Sequence, residues 1–357
     1  MVGKDWIGDA HETFESLKVE HRNYRLTKRR LAASCRAMLR GELALLVGPP
    51  RAGKTRCIRD ALCIPDENVP DQDSCMRAVI VEAGNEATSG EFSTKDFAMA
   101  CLRAIHHPIY GIAADDDPWE RRLNELLDRT PERRLWSAFS CALKLRKTEY
   151  LVFDEAHHVL YVRGGEAAAA RVLDSWKCLC NSTGVKLVLT GSYSLLSLLA
   201  LAPHLIGRQQ PLEFARYRAD SKSDVEAWEQ LLRKFSEPLS FTEGESLSTW
   251  NKLLFQGSLG RVGGLSLWLR TALAKMDAEG IPHFSSNVLE ATRLPAEQER
   301  AILNEILDGE WSLLRHDGSL PPQAATSTDR PSEAATSRRR RIPYQRNSKR
   351  NPVNGRA

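Results

Sequence analysis

The chain has no uninterrupted apolar run approaching the roughly 18–20 residues that a membrane-crossing helix needs. Its first residues, MVGKDWIGDAHETFE, place no apolar stretch behind the lysine, so they do not read as a secretion signal. No CxxC pair occurs among the cysteines at 35, 57, 63, 75, 101, 141, 178 and 180, which argues against a zinc site. Scattered cysteines in a chain this long are expected to be reduced, many of them as small core residues. His106–His107 lacks the spaced partners of a metal site, and no internal repeat is visible. These absences predict a soluble, cytoplasmic protein with no membrane partner.

Against them stand 357 residues, 42% hydrophobic and 27% charged, enough for one large or two modest cores. The net charge of +4 is unevenly spread. From Gly318 onward there are nine Lys/Arg and two Asp/Glu, a net of 9 − 2 = +7, so the remainder carries 4 − 7 = −3. That tail is rich in Pro, Ser, Ala, Thr and Arg with almost no apolar anchors, and is expected to be disordered. Its stretch Ser337–Arg350 could add non-specific affinity for nucleic acid or dock a partner.

Residues 21–40 read as a basic helix with Tyr24, Leu31 and Met38 near helical spacing, ended by Gly41. Leu43–Val47 (LALLV) is a continuous apolar run of the kind buried on both faces of a parallel sheet. Further strands are expected at Ala78–Val81, Tyr150–Phe153, Lys186–Thr190 and Leu212–Phe214, with helices between them. Alternation of this kind predicts an α/β fold with a parallel five-stranded sheet. After Pro211 the pattern turns helical: Trp228, Leu231 and Leu232 share one face, then Trp250, Leu253 and Leu254. One more helix follows Gly260 and another spans roughly 296–314. The expected layout is an N-terminal helical segment (1–40), an α/β core (41–217), a small helical lid (218–317) and a basic tail (318–357).

Gly48–Thr55 (GPPRAGKT) matches GxxxxGK[ST] in full and lies between an apolar strand and a helix. Such a loop cradles a polyphosphate with inward-pointing N–H groups, here from Gly48, Pro49, Pro50, Arg51, Ala52, Gly53, Lys54, Thr55 and Arg56, proline contributing only backbone shape. Gly48 and Gly53 give backbone freedom, Lys54 reaches the terminal phosphates, Thr55 offers a hydroxyl to Mg²⁺, and the helix start adds its positive end. In YLVFDEAHH, Asp154 at a strand end can hold Mg²⁺ and Glu155 can polarise the attacking water. LVLTGS ends a strand at Thr190, whose hydroxyl can orient that water. ATP and Mg²⁺ are the cofactors these residues imply.

Asp154–His157 spells DEAH, a helicase signature, but the second half of a helicase is missing. Gln256–Gly263 (QGSLGRVG) misses the QxxGRxGR spacing by one residue and has Gly264 where the last arginine belongs. His157 and His158 are read as ordinary helix-start residues. An AAA+ layout, with the site shared between subunits and a helical lid behind the core, fits better. There Arg208 is a candidate finger completing a neighbour's site, and Arg261 opens a lid helix from which its guanidinium could reach the terminal phosphate.

The order GPPRAGKT, YLVFDEAHH, LVLTGS, GRQQPLEFARY and GSLGRVGG resembles the AAA+ transposition regulators TnsC and TniB, relatives of IstB and MuB. The resemblance covers roughly residues 20–315, including Val79–Tyr110. It implies a homo-oligomer, ring or filament, assembled on double-stranded DNA when ATP is bound. Such an assembly would link a TniQ/TnsD-type target selector to a TnsA/TnsB-type transposase, with hydrolysis releasing it. It also implies that Thr94, Lys95 and Arg103 face the DNA, as backbone contacts that position without reading sequence. Two alternatives remain: an AAA+ ATPase working on protein partners, such as a loader or defence regulator, and a switch that holds ATP with little turnover.

Overall fold

The computed structural model describes residues 5–16, 19–65, 75–86, 89–110, 129–200 and 211–316. Arg208 and the basic tail lie outside the described residues. All described residues belong to one compact unit, 1–320.

Five short strands form the centre: β1 (Leu43–Val47), β2 (Ala78–Glu82), β3 (Tyr150–Asp154), β4 (Lys186–Gly191) and β5 (Leu212–Glu213). Their order is β2-β3-β4-β1-β5, and every pairing is parallel. Every residue of β1 and β3 is buried, as continuous apolar runs in a sheet covered on both faces require. Register places Leu46 opposite Thr190 and Glu82 opposite Asp154, so the C-terminal strand ends that carry the polar residues line up at one edge.

Side chains alternate across the sheet. Leu45, Val47, Leu151, Phe153, Leu187 and Leu189 face α4 (Thr94–Ala104), α5 (Glu132–Leu145) and α6 (Gly165–Thr183). Phe97, Phe153 and Trp176 form the aromatic centre of that layer, with ring centroids 4.6–5.3 Å apart. Ala44, Leu46, Val152 and Val188 face the other way, onto α2 (Arg22–Ala37) and α3 (Lys54–Leu62). Cys35 and Cys57 are buried in this second layer and Cys101 and Cys180 in the first.

A third core lies among α8 (Lys222–Ser236), α9 (Asn251–Ser258), α10 (Val262–Glu279) and α11 (Ser286–Ala291). Trp228, Leu231, Leu232 and Leu254 are buried in it as their spacing predicted, whereas Trp250 and Leu253 pack only against its margin. Two of its features are not visible in the sequence pattern. Helix α1 (Asp5–Ser16) inserts Ile7, Ala10 and Phe14 into this core, and Phe14 stacks on Phe235 at 5.6 Å, although more than 200 residues separate them. The last helix, α12 (Ala296–His316), sends Ile306 and Leu313 into the first sheet layer instead. There Gly309 lies against Tyr193, just ahead of α7 (Ser194–Ala200), so closely that an added Cβ would fall 2.0 Å from its ring, and Glu310 forks onto Arg216 at 2.7 and 3.2 Å.

Because Phe14 is 4% exposed in a core it shares with distant helices, Phe14→Ala is expected to cost about 3–5 kcal/mol. Urea unfolding of the full chain would show this as a lowered midpoint. A terminal segment that merely drapes over the surface would give no change.

Candidate functional site

The phosphate loop leaves β1 at Val47 and enters α3 at Lys54. Its backbone is unusual twice: Gly53 at φ +95° and Arg51 at φ +60°, the latter a conformation that costs a side-chain-bearing residue energy. Gly48 cannot carry a side chain, since a Cβ there would lie 2.7 Å from the Phe214 carbonyl oxygen. Helix α3 starts with no side-chain cap, leaving its first N–H groups available to an anion.

Lys54 is 6% exposed, and its Nζ donates to the carbonyls of Gly48 (3.2 Å) and Pro49 (3.1 Å). Burial pushes the Lys54 ammonium below its ordinary pKa, with Glu155, Asp154 and Glu305 opposing the shift. A buried cation held only by carbonyl dipoles is poised to exchange them for phosphate oxygens. Thr55 Oγ1 donates to Asp154 Oδ2, joining α3 to the end of β3, while the Glu155 N–H donates to Asp154 Oδ1 at 2.9 Å. Thr190, on the neighbouring strand and the same sheet face as Leu46, is fully buried, and its Oγ1 has no hydrogen-bond partner among the described residues. Buried hydroxyls are rarely left so, which marks Thr190 as a candidate polar contact of this site.

Thr55 and Asp154 fit a magnesium ion in their chemistry. Among the described residues no cluster of three or more His, Cys, Asp or Glu side chains gathers anywhere. One hydroxyl and one carboxylate suit a magnesium that takes its remaining ligands from phosphate and water.

Glu155 follows at φ +48°, a second strained position. Burial raises its pKa, partly offset by Lys54. The sequence offered His157 as an ordinary helix-start residue, and here the structure adds something. His157 sits in the 3₁₀ turn Ala156–Tyr161 with Nδ1 3.2 Å from Glu155 Oε2, a contact off the alignment of a hydrogen bond. Burial, helped by His158 and Lys54, holds the imidazole at a pKa of about 4, so it is neutral near pH 7. Gly191 makes room for it, since a Cβ there would lie 2.9 Å from Nδ1. The glycine after Thr190 was the available sequence signal. Asn85, just past β2, has a buried Oδ1 without a partner among the described residues, and no sequence feature marked it.

The third core meets the loop through the start of α10. Arg261 caps that helix, is 4% exposed, and places Nη1 3.4 Å from the Pro50 carbonyl and Nε 3.1 Å from the Ser258 carbonyl. Its pKa is lowered by burial and then by Arg51, with Glu305 opposing. Two glycines permit this approach. A Cβ on Gly260 would lie 2.2 Å from the Tyr217 carbonyl oxygen, and one on Gly263 only 2.0 Å from that of Arg51. GSLGRVGG is therefore a packing motif that presses a helix onto the phosphate loop.

Lys54, Thr55, Asp154, Glu155, Thr190 and Arg261 thus gather at one end of the sheet. Arg51 and Arg56 flank the loop, Arg56 lying over the Tyr24 ring at 5.6 Å and belonging to the α2–α3 surface. Thr94, Lys95 and Arg103 do not form one cluster. Thr94 and Lys95 lie in the first turn of α4 and Arg103 in its last, about 12 Å along the axis. Glu86, Glu91 and Asp96 stand in the surrounding sequence, so the charge there is mixed.

Gly263→Ala is expected to push α10 off the loop. Nucleotide affinity should fall at least about tenfold, while Gly280→Ala, in open space at φ +65°, should cost only stability. Isothermal titration with ATP measures both; equal affinities for the two variants would contradict the reading of the contact.

Residues 38–199 match a family described as the AAA domain. Among solved structures, the Aeropyrum pernix ORC1 protein in complex with DNA aligns at a TM-score of 0.51 and 14% identity, over 85% of this chain and 82% of that one. The Walker-type ATPase of Pyrococcus abyssi aligns at 0.46 and 17% identity over 82% and 75%, and Cdc6p from Pyrobaculum aerophilum at 0.46 and 13% over 85% and 81%. No curated protein matches in sequence. Identity this low speaks for the fold alone: the matched stretch, the strand order and the alignment with the ORC1 protein show an α/β fold whose five-stranded parallel sheet, flanked by helices, matches that of AAA+ P-loop ATPases.

Proposed function

We propose that this chain is an ATP-hydrolysing, DNA-binding AAA+ regulator of DNA transposition. In this reading it oligomerises on double-stranded DNA and links a TniQ/TnsD-type selector to a TnsA/TnsB-type transposase. The observation that carries the ATPase part is the convergence of Lys54, Thr55, Asp154, Glu155 and the partnerless Thr190 hydroxyl at one sheet edge. The transposition part rests on the motif order from GPPRAGKT to GSLGRVGG.

ATP is the substrate. Lys54 leaves the Gly48 and Pro49 carbonyls for the terminal phosphate oxygens, and Arg261, already beside Pro50, reaches the same group. Thr55 and Asp154 would hold magnesium, which would supply charge neutralisation on the phosphates. Thr190 orients a water, and Glu155 takes its proton as the oxygen bonds to the terminal phosphorus and the bond to ADP breaks. His157 packs beside Glu155, with Nδ1 3.2 Å from Oε2, without a hydrogen bond to it. Arg208, ahead of β5, is assigned as the finger offered to a neighbouring subunit.

Lys54→Ala is expected to abolish ATP binding. Glu155→Gln should keep binding and lower turnover by at least about a hundredfold. Arg208→Ala should likewise keep binding while hydrolysis falls. The raised pKa of Glu155 means the carboxylate base is lost as pH falls through a value above the usual 4.5, so the acid limb of the rate profile should lie above that figure. Turnover of Glu155→Gln equal to wild type would make the nucleotide a static assembly ligand.

A second reading, an AAA+ ATPase acting on protein partners, is favoured by the carboxylates Glu86, Glu91 and Asp96 near Lys95. Electron microscopy with duplex DNA and a non-hydrolysable ATP analogue separates the two, with DNA-encircling oligomers expected and monomers throughout opposing. Lys95→Ala with Arg103→Ala is expected to weaken DNA binding and flatten its salt slope by about 1.8. An unaltered slope removes α4 from the DNA contact.

A further inference from the structure

We propose that α2 is a second nucleic-acid surface, one that grips the phosphate backbone from a helix face remote in sequence from α4. This inference stands on α2 alone and does not require the transposition reading.

Helix α2 carries Arg22, Arg25, Lys28, Arg29, Arg30 and Arg36 and no Asp or Glu. Its inner face is spoken for: Tyr24, Thr27, Leu31 and Cys35 are buried on the sheet side. That fixes the rotation of the helix and turns the arginines outward. At 100° per residue, Arg25, Arg29 and Arg36 fall within about 40° of one another, strung along about 16 Å of axis. All three are exposed, as is Arg30.

The nearby carboxylates are engaged with other groups. Asp224 pairs with Arg22, Glu20 with Lys28 at 3.2 Å, and Asp60 with Lys28 at 3.9 Å and the Tyr24 hydroxyl. Among the described residues, Arg25, Arg29, Arg30 and Arg36 have no carboxylate partner. Like charges four apart, as in Arg25 and Arg29, destabilise an isolated helix. The other long surface helices mix signs; α8 and α12 both do.

The chemistry of the stripe selects its partner. Protein interfaces are anchored by buried aromatic or long apolar side chains. The exposed residues of α2 are arginines and alanines, with no such anchor. Guanidinium forks suit phosphate oxygens, where counterion release supplies the affinity, and Leu39, just past the helix end, is the one exposed large apolar side chain beside them among the described residues. An arginine row about 16 Å long suits a duplex backbone, and it reads no sequence.

The test uses the full chain carrying Arg25→Gln, Arg29→Gln and Arg36→Gln together. Binding to a random-sequence DNA duplex is followed by anisotropy through a salt titration, with and without a non-hydrolysable ATP analogue. Removing three phosphate contacts should lower the slope of log affinity against log salt by about 2.7. The matching Arg→Lys triple should restore most of the slope, and thermal shift by the ATP analogue should be unchanged in both. An unaltered slope in the Gln triple overturns the proposal, and so does a wild-type chain that binds no duplex. Loss of binding to a polyglutamate peptide with DNA binding intact also overturns it, in favour of an acidic protein partner. The Lys95→Ala, Arg103→Ala variant runs in parallel. If it flattens the slope and the α2 triple does not, the DNA reading survives and this inference falls; the converse keeps α2 and removes α4.

Discussion

The arrangement depends on one close contact, the backbone of Gly263 against the carbonyl of Arg51. At that point a helix from the third core touches the loop that leaves the first strand. A single methyl group would not fit between them. Arg261 reaches the Pro50 carbonyl only because this contact exists. Separate the two and the phosphate site loses one of its cations, while Lys54, Thr55 and Asp154 stay joined to the sheet.

Charge at the site is balanced by geometry more than by pairing. Lys54 and Arg261 are both buried, and both have their pKa lowered by burial. Their hydrogen bonds in this structure go to carbonyl oxygens. Carbonyl dipoles compensate a full charge poorly. Under the proposed function a triphosphate would bring the missing negative charge, and its binding would relieve an electrostatic cost already built into the fold. Glu305 on α12 relieves part of it beforehand, since its carboxylate acts on both cations.

Much of this was legible in the sequence for physical reasons. Continuous apolar runs such as LALLV and YLVF announce strands buried on both faces, and the loop between β1 and α3 has few other uses. Helix α11 was missed because six residues, SNVLEA, are too few to show a period. The destinations of α1 and α12 were hidden because a helical stripe says which side is apolar and not what covers it. Arg261 was singled out by its place at the start of a lid helix, whereas the reason for Gly263 appears only when the Arg51 carbonyl is in view. His157 was set aside as local, although the sheet brings Gly191 up against it and so directs it at Glu155. Lys95 and Arg103 stand about 12 Å apart along α4, at a helix rise of 1.5 Å per residue.

The glycine at 309 carries a mechanical consequence. Helix α12 is riveted to Tyr193 and Arg216 on the sheet layer, and α10 is riveted to the phosphate loop at Gly263. The helices between them, with α1 embedded in their midst, are therefore suspended from two fixed points. Neither contact leaves room for a single methyl group, so a side chain added at 263 must part the third core from the loop, and one added at 309 must part α12 from the sheet layer.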